Sequence, residues 1–395
     1  MTTALRLPST DGSAVSYELG EPGPWSRPAA PITSRIAYAA AHVIPVALAD
    51  NTPGAPAVVD WETTLAYRHE LWSYGLGVAD AMDTAQRGMG LDWAATQELI
   101  KRSGAEAASV GGRLSCGAGT DQLDLDTLLE GRAGLDQVLE AYREQVEIVS
   151  GAGATVIVMA SRALARVART PDDYRYVYAA LLAEVTEPVI LHWLGPMFDP
   201  ALAGYWGNAD VAGATEVFTG LVREHAAVVD GVKVSLLDAA HETALRAELA
   251  QLPGRVRLYT GDDFNYPELI DGDGTHYSDA LLGIFAAIYP AASTALQAYD
   301  RGRPEEGRAI LDSTRELGRH LFAAPTLYYK TGVAFLSWLN GRQPAFSMVG
   351  GLQAGRSIPH LVQAFRLADR AGLLLDPGLA ARRMTQLLAV QGFEA

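Results

Sequence analysis

Lysine is almost missing from this chain. Of 31 basic residues only Lys101, Lys233 and Lys330 are lysines, and the rest are arginines. Arginine meets any simple need for positive charge here, so a retained lysine marks a place where arginine fails, above all where a proton must be lost. Cysteine is scarcer still. A lone Cys116 excludes an intramolecular disulfide and a cysteine-rich metal site, fits a reducing compartment, and reads as a buried, inert thiol. Basic charge is outweighed throughout, and a net charge of −15 argues against nucleic acids and anionic membranes as partners. The longest apolar runs are broken by His42, Pro45 or Pro290, so none reads as a signal peptide or membrane span. These absences predict a cytoplasmic protein acting on small molecules.

What the chain does have is apolar residues, 49% of 395, enough for a large core. Residues 1–34 are rich in Pro, Gly and Ser and read as an extended arm. From Ile36, strand-length apolar runs alternate with helix-period segments. The strand candidates are Ile36–Leu48, Gly77–Met82, Ala107–Leu114, Thr155–Ala160, Val189–Leu194, Gly231–Leu236, Val256–Thr260 and Ala280–Ala287. Helices fall between them, including Asp92–Ser103, Leu135–Ser150, Pro171–Glu184, Ala212–Glu224 and Ala239–Gln251. Near-continuous apolar strands need cover on both faces, as a (β/α)8 barrel supplies. An open doubly wound sheet lacks support, because no Gly-rich nucleotide loop follows a strand. After Pro290 only helical segments remain. The expected organisation is an arm (1–34), a (β/α)8 TIM barrel (35–295) and a C-terminal helical extension (296–395).

Barrel chemistry collects at the C-terminal strand ends. There the sequence offers Asp83, Thr84, Gln86 and Arg87, then Ser115, Ser161 and Arg162, His192, Lys233 with Ser235, and Gly261-Asp262-Asp263. Lys233 stands out, because Val228-Val-Asp-Gly-Val-Lys-Val-Ser-Leu-Leu237 sets one amine inside a β-branched apolar strand. Burial disfavours the ammonium form, and a neutral amine can form a Schiff base with a carbonyl compound. His192 has two readings, a general acid/base and a buried structural imidazole. Lys101 reads as exposed and Lys330, between two tyrosines and a glycine, as a structural contact at the barrel end or an interface.

Asp230-Gly-Val-Lys-Val-Ser235 resembles the Schiff-base strand of the dihydrodipicolinate synthase and N-acetylneuraminate lyase superfamily. Leu191-His-Trp-Leu-Gly-Pro196, Leu258-Tyr-Thr-Gly-Asp-Asp263 and Asp279-Ala-Leu-Leu-Gly-Ile-Phe-Ala-Ala-Ile-Tyr-Pro290 resemble further family segments in the same order. Tyr328-Tyr-Lys-Thr-Gly-Val-Ala-Phe-Leu-Ser-Trp-Leu-Asn-Gly341 resembles a branch catalogued as a domain of unknown function. The resemblance implies a class I aldolase or lyase on a TIM barrel, usually oligomeric and needing no cofactor. It gives Lys233 the Schiff base and His192 the place of a proton-relaying tyrosine. Where the family carries two threonines, this chain has Thr84 and Ala85 within Asp83-Thr-Ala-Gln-Arg87, which weighs against pyruvate as the substrate.

The leading expectation is a Schiff-base lyase, an aldolase or dehydratase, acting on a keto sugar, sugar acid or other oxo compound. Lys233 and His192 are its catalytic residues, with Asp83, Thr84, Gln86, Arg87, Ser235, Gly261 and Asp262 binding substrate. Two other readings stand beside it. One is a divalent-metal aldolase, dehydratase or isomerase with His192, Asp80, Asp83 and Asp262 as ligands. The other is a carbohydrate-binding barrel without catalysis.

Overall fold

A parallel strand covered on both faces still alternates its side chains, one set into the barrel and the other under the helices. The computed structural model describes residues 3–9 and 13–393. β1 (Ala4–Pro8) and β2 (Ala14–Glu18) pair antiparallel. β3 (Ala37–Ala40), β4 (Gly77–Asp80), β5 (Leu114–Ala118), β6 (Thr155–Val158), β7 (Val189–Leu194), β8 (Val229–Ser235), β9 (Arg257–Thr260) and β10 (Asp279–Leu282) run parallel in chain order and close, β10 beside β3. The fold is thus the (β/α)8 barrel with further helices at its C-terminal side.

Tyr38, Ala40, Ala79, Met82, Ile157, Ile190, Tyr259 and Leu281 make one cluster inside the barrel. Val78, Cys116, Val158, Leu191, Trp193, Val232 and Val234 belong instead to the larger core beneath the helices. With Val232 and Val234 outside, alternation along β8 turns Gly231, Lys233 and Ser235 inward. Gly231 is needed there, since a Cβ would come within 2.7 Å of the Tyr259 ring.

Several boundaries differ from expectation. The strand expected at Ala107–Leu114 lies at Leu114–Ala118, because alanine-rich Trp93–Val110 continues as helix until Gly111, at φ 62°, stops it. Ser115 therefore sits within its strand rather than at its end. The first barrel strand is only Ala37–Ala40, and helix Trp61–Ser73, with Asp60 capping it, falls in a stretch without a clear sequence signal. The last strand ends at Leu282, and Pro290 lies inside helix Phe285–Asp300, where the non-helical Ile288 absorbs the kink. The N-terminal arm contains a hairpin with Leu7 fully buried, and Tyr17 Oη donates to Asp369 Oδ2 at 2.7 Å, fastening it to helix Ile358–Arg370.

One buried carboxyl ties the helix ring to the barrel. Glu242, in helix Ala239–Leu249, accepts from Thr260 Oγ1 at 3.0 Å and Ser278 Oγ at 2.9 Å. Burial pushes its pKa up to about 8 from 4.5. A raised folded-state value means that its contribution is complete below pH 4.5 and is lost as pH rises through about 8. Glu242→Gln mimics the protonated form, so wild type should lose stability relative to it between pH 5 and pH 9. At about 1.4 kcal/mol per pKa unit the difference is a few kcal/mol. Urea midpoints of both proteins at the two pH values measure it, and parallel curves would refute the assignment.

Candidate active site

Strand register brings the chemistry together. His192 lies beside Lys233 across the β7–β8 ladder, and Lys233 lies beside Tyr259 across β8–β9. The next inward position on β8 is Ser235, whose Oγ is 3.2 Å from His192 Nε2. The next on β9's line is Gly261, where a Cβ would meet Ser235 Oγ at 2.2 Å, the Val234 carbonyl at 2.6 Å and Lys233 Cε at 3.1 Å. Its bare Cα leaves the lysine its space.

Lys233 is 6% exposed. Among the described residues it is in no ion pair and no hydrogen bond. Burial lowers its pKa below the usual lysine value, opposed by the charges of Asp83 and Asp263. Asp263 accepts from the Ile284 amide at 2.8 Å, and burial pushes its carboxyl up to about 8, partly opposed by Lys233. Both partners are thus moved toward their neutral forms, as expected when burial penalises two charges that no close contact compensates. His192 is 1% exposed, and burial, reinforced by Lys233, holds its pKa well below the usual histidine range. It is a neutral imidazole whose Nδ1 has no partner among the described residues.

The roof comes from the C-terminal helices. Helix Tyr329–Leu339 is buried along its whole length. Gly283, just past β10, makes room for Phe322 and Tyr329, whose rings stack at 4.2 Å; a Cβ there would lie 2.9 Å from each. Tyr329 Oη donates to Asp83 Oδ2 at 2.8 Å and is also bonded to Thr84 Oγ1. A cleft of about 210 Å³ opens beside Asp83, with Thr120, Ser161, Arg162 and Asp199 among its polar walls and Leu123, Leu125 and Leu202 among its apolar ones. Lys233 is not in its wall; Asp83 links the two, lining the cleft and acting on the lysine charge.

Lys233, His192, Ser235 and Gly261 therefore converge, with Asp83 and Thr84 above them. Three other expected residues face different work. Arg87 donates from Nε and Nη2 to Asp121, from Nη2 also to Gln145, and from Nη1 to the carbonyls of Ala81 and Gly117, leaving no N–H for a substrate carboxylate. Asp262 is an Asx cap, its Oδ1 taking the amides of Phe264 and Asn265 and its Oδ2 the Asn265 side chain. Gln86 donates to the Val349 carbonyl, tying the β4 loop to the C-terminal region.

The metal reading loses its ligands in the same way. Asp80 points out of the barrel to Arg68 and Ser103, and among the described residues no three His, Cys, Asp or Glu side chains converge on a point. Of the offered pair Asp262 and Asp263, indistinguishable in the doublet, the expectation takes Asp262 alone, and Tyr329, 96 residues from β8's lysine, is not among the expected site residues. Lys330, read as a structural contact or an interface residue, is 2% exposed on the roof helix, with its amine on the Met89 sulfur.

The profile of the family described as "Protein of unknown function (DUF993)" matches residues 5–393, and the chain belongs to that family. No curated protein sequence matches it. Solved structures with the same fold include dihydrodipicolinate synthase from Thermotoga maritima, at TM-score 0.62 and 14% identity over 86% of this chain and 99% of that one. The chloride-inhibited dihydrodipicolinate synthase from Acinetobacter baumannii, complexed with pyruvate, matches at 0.61 and 14% over 86% and 100%. A prophage protein of the dihydrodipicolinic acid synthase family from E. coli K12, also with pyruvate, matches at 0.62 and 14% over 85% and 99%.

Proposed function

Taking membership of this family and its barrel as the premise, we propose that the chain is a lyase of the class I aldolase type. Lys233 forms a Schiff base with a keto sugar, a sugar acid or another oxo compound. The observation that carries this reading is an unpaired, buried amine with a lowered pKa at the mouth of the barrel. In the first step the Lys233 Nζ lone pair bonds to the carbonyl carbon as the C=O π pair moves to oxygen, and one Nζ proton passes to that oxygen to give a carbinolamine. Loss of that oxygen as water, with a second proton, leaves the iminium. Asp263, neutral near pH 7 by its raised pKa, is the proposed donor of that second proton. Neutral His192, steadied by Ser235, then receives the proton released as a C–C or C–O bond breaks and the iminium draws in the electron pair.

Borohydride reduces such an iminium to a stable secondary amine. Wild-type protein incubated with a panel of oxo compounds and borohydride should gain the mass of one reduced adduct, and peptide mapping should locate it on residue 233. An adduct on Lys101 or Lys330, or none with any member of the panel, would overturn the reading.

A further inference from the structure

Around the cleft each carboxylate already has a partner. Asp121 holds Arg87, Asp199 holds Arg162 at 2.5 Å, and Asp83 accepts from Tyr329. Lys330, the next residue of the roof helix, lies just behind this wall rather than in it, and no carboxylate is bonded to its amine. It is 2% exposed, and the partner of its Nζ is the Met89 thioether at 3.1 Å, a weak and uncharged acceptor. Met89 follows Gly88 in the cleft wall, and a Cβ on Gly88 would lie 3.4 Å from Arg162 Nη1. The charges acting on Lys330 are those of Asp83, Arg162 and Asp199, all cleft residues. Burial lowers its pKa to about 8, so at neutral pH it is still mostly an ammonium, buried against a sulfur with no anion in contact, which an incoming anion would relieve.

We propose that Lys330, with Arg162 beside it, binds an anionic group of the substrate in this cleft, so that the compound condensing with Lys233 is an acidic one. Its carboxylate or phosphate sits apart from the carbonyl, on the far side of Asp83. The inference rests on the Schiff-base reading for its carbonyl end but not for its anionic end, and the two separate experimentally. Lys330 is a binding residue here, and Thr120 and Ser161 supply hydroxyls to the same cleft.

Equilibrium binding is measured in a Lys233→Ala background, where no imine forms. The probes are 4-oxopentanoate for a carboxylate and dihydroxyacetone phosphate for a phosphate, each beside its neutral counterpart, 2-pentanone or dihydroxyacetone. Adding Lys330→Met, which keeps the length of the side chain, should weaken binding of at least one anionic probe by about tenfold or more, the effect of losing one charged contact. The neutral probes should shift less than about twofold. Which anionic probe responds identifies the group. Lys330→Arg, retaining the charge, should recover most of the loss, and it is compared with Lys330→Gln if Lys330→Met fails to fold. No binding of either anionic probe, or equal weakening of charged and neutral probes, overturns the proposal. A wild-type protein that traps no carbonyl, together with an intact charge effect, overturns the Schiff-base reading and leaves the anion site standing.

Discussion

Replacing Lys233 by Met should abolish borohydride trapping and lower turnover by at least about a thousandfold, because covalent catalysis has no substitute nucleophile in the mouth. The other buried lysine, Lys330, sits on the roof helix with its amine on the Met89 sulfur. His192 and Asp263 remain in the variant and have nothing to act on. The same substitution should leave the fold as stable as wild type or more so. A methionine of similar length fills the inward position between His192 and Tyr259, and it removes an amine held at 6% exposure without a counter-ion. Loss of function with unchanged or raised stability is the signature of a group kept for chemistry at a cost to the fold. Intact-mass spectra after borohydride, steady-state rates and urea midpoints are the three readouts. Adduct formation that survives the substitution, or a marked fall in stability, would show that residue 233 is a structural lysine.

The second large effect is expected at Asp80, far from the reacting carbonyl. Its carboxylate receives Arg68 Nε at 3.0 Å and Nη2 at 2.8 Å, with neither side chain exposed to solvent, and also Ser103 Oγ at 2.7 Å. Arg68 meanwhile donates to the carbonyls of His42 and Thr64. Asp80→Ala leaves the guanidinium buried without its counter-charge, which costs about 3–5 kcal/mol. The denaturation midpoint should fall accordingly, whereas Ser103→Ala, which removes one neutral donor, should cost about 1 kcal/mol. A site effect should accompany it. Asp80 Oδ1 accepts from the Ala81 amide, and Ala81 at φ 51° begins the turn that presents Asp83 and Thr84 to the mouth. An Asp80→Ala protein as stable as wild type would mean that the Arg68 charge is relieved elsewhere.

The contrast between Asp80 and Asp263 explains which site residues could be read in advance. Both are aspartates near the C-terminal end of a barrel strand. One faces the helices and fixes the fold, while the other, just past β9, is held on the Ile284 amide with its charge acting on the amine. Only the folded barrel distinguishes them. Asp262 and Asp263 make the same point within a single dipeptide, the first turned into the loop as a cap and the second held on the Ile284 amide. Arg87 was expected to bind substrate, but Asp121, 34 residues away, Gln145 and two backbone carbonyls take its donors.

The barrel was written in the sequence because apolar runs on a regular spacing have few ways to be covered on both faces, and alternation along Val229–Ser235 sets Lys233 and Ser235 on the face opposite Val232 and Val234. The rarity of lysine among arginines marks Lys233 in the sequence itself. The short first strand and the misplaced third were blurred because alanine suits helix and buried strand alike, leaving glycine conformations to set the boundary. The roof was decided only in three dimensions. Tyr329 and Lys330 follow the last strand by nearly fifty residues, and it is the packing of a fully buried helix over Gly283 that returns them to Asp83. Contacts of that range depend on every intervening element closing the barrel, which local patterns of charge and hydrophobicity cannot express.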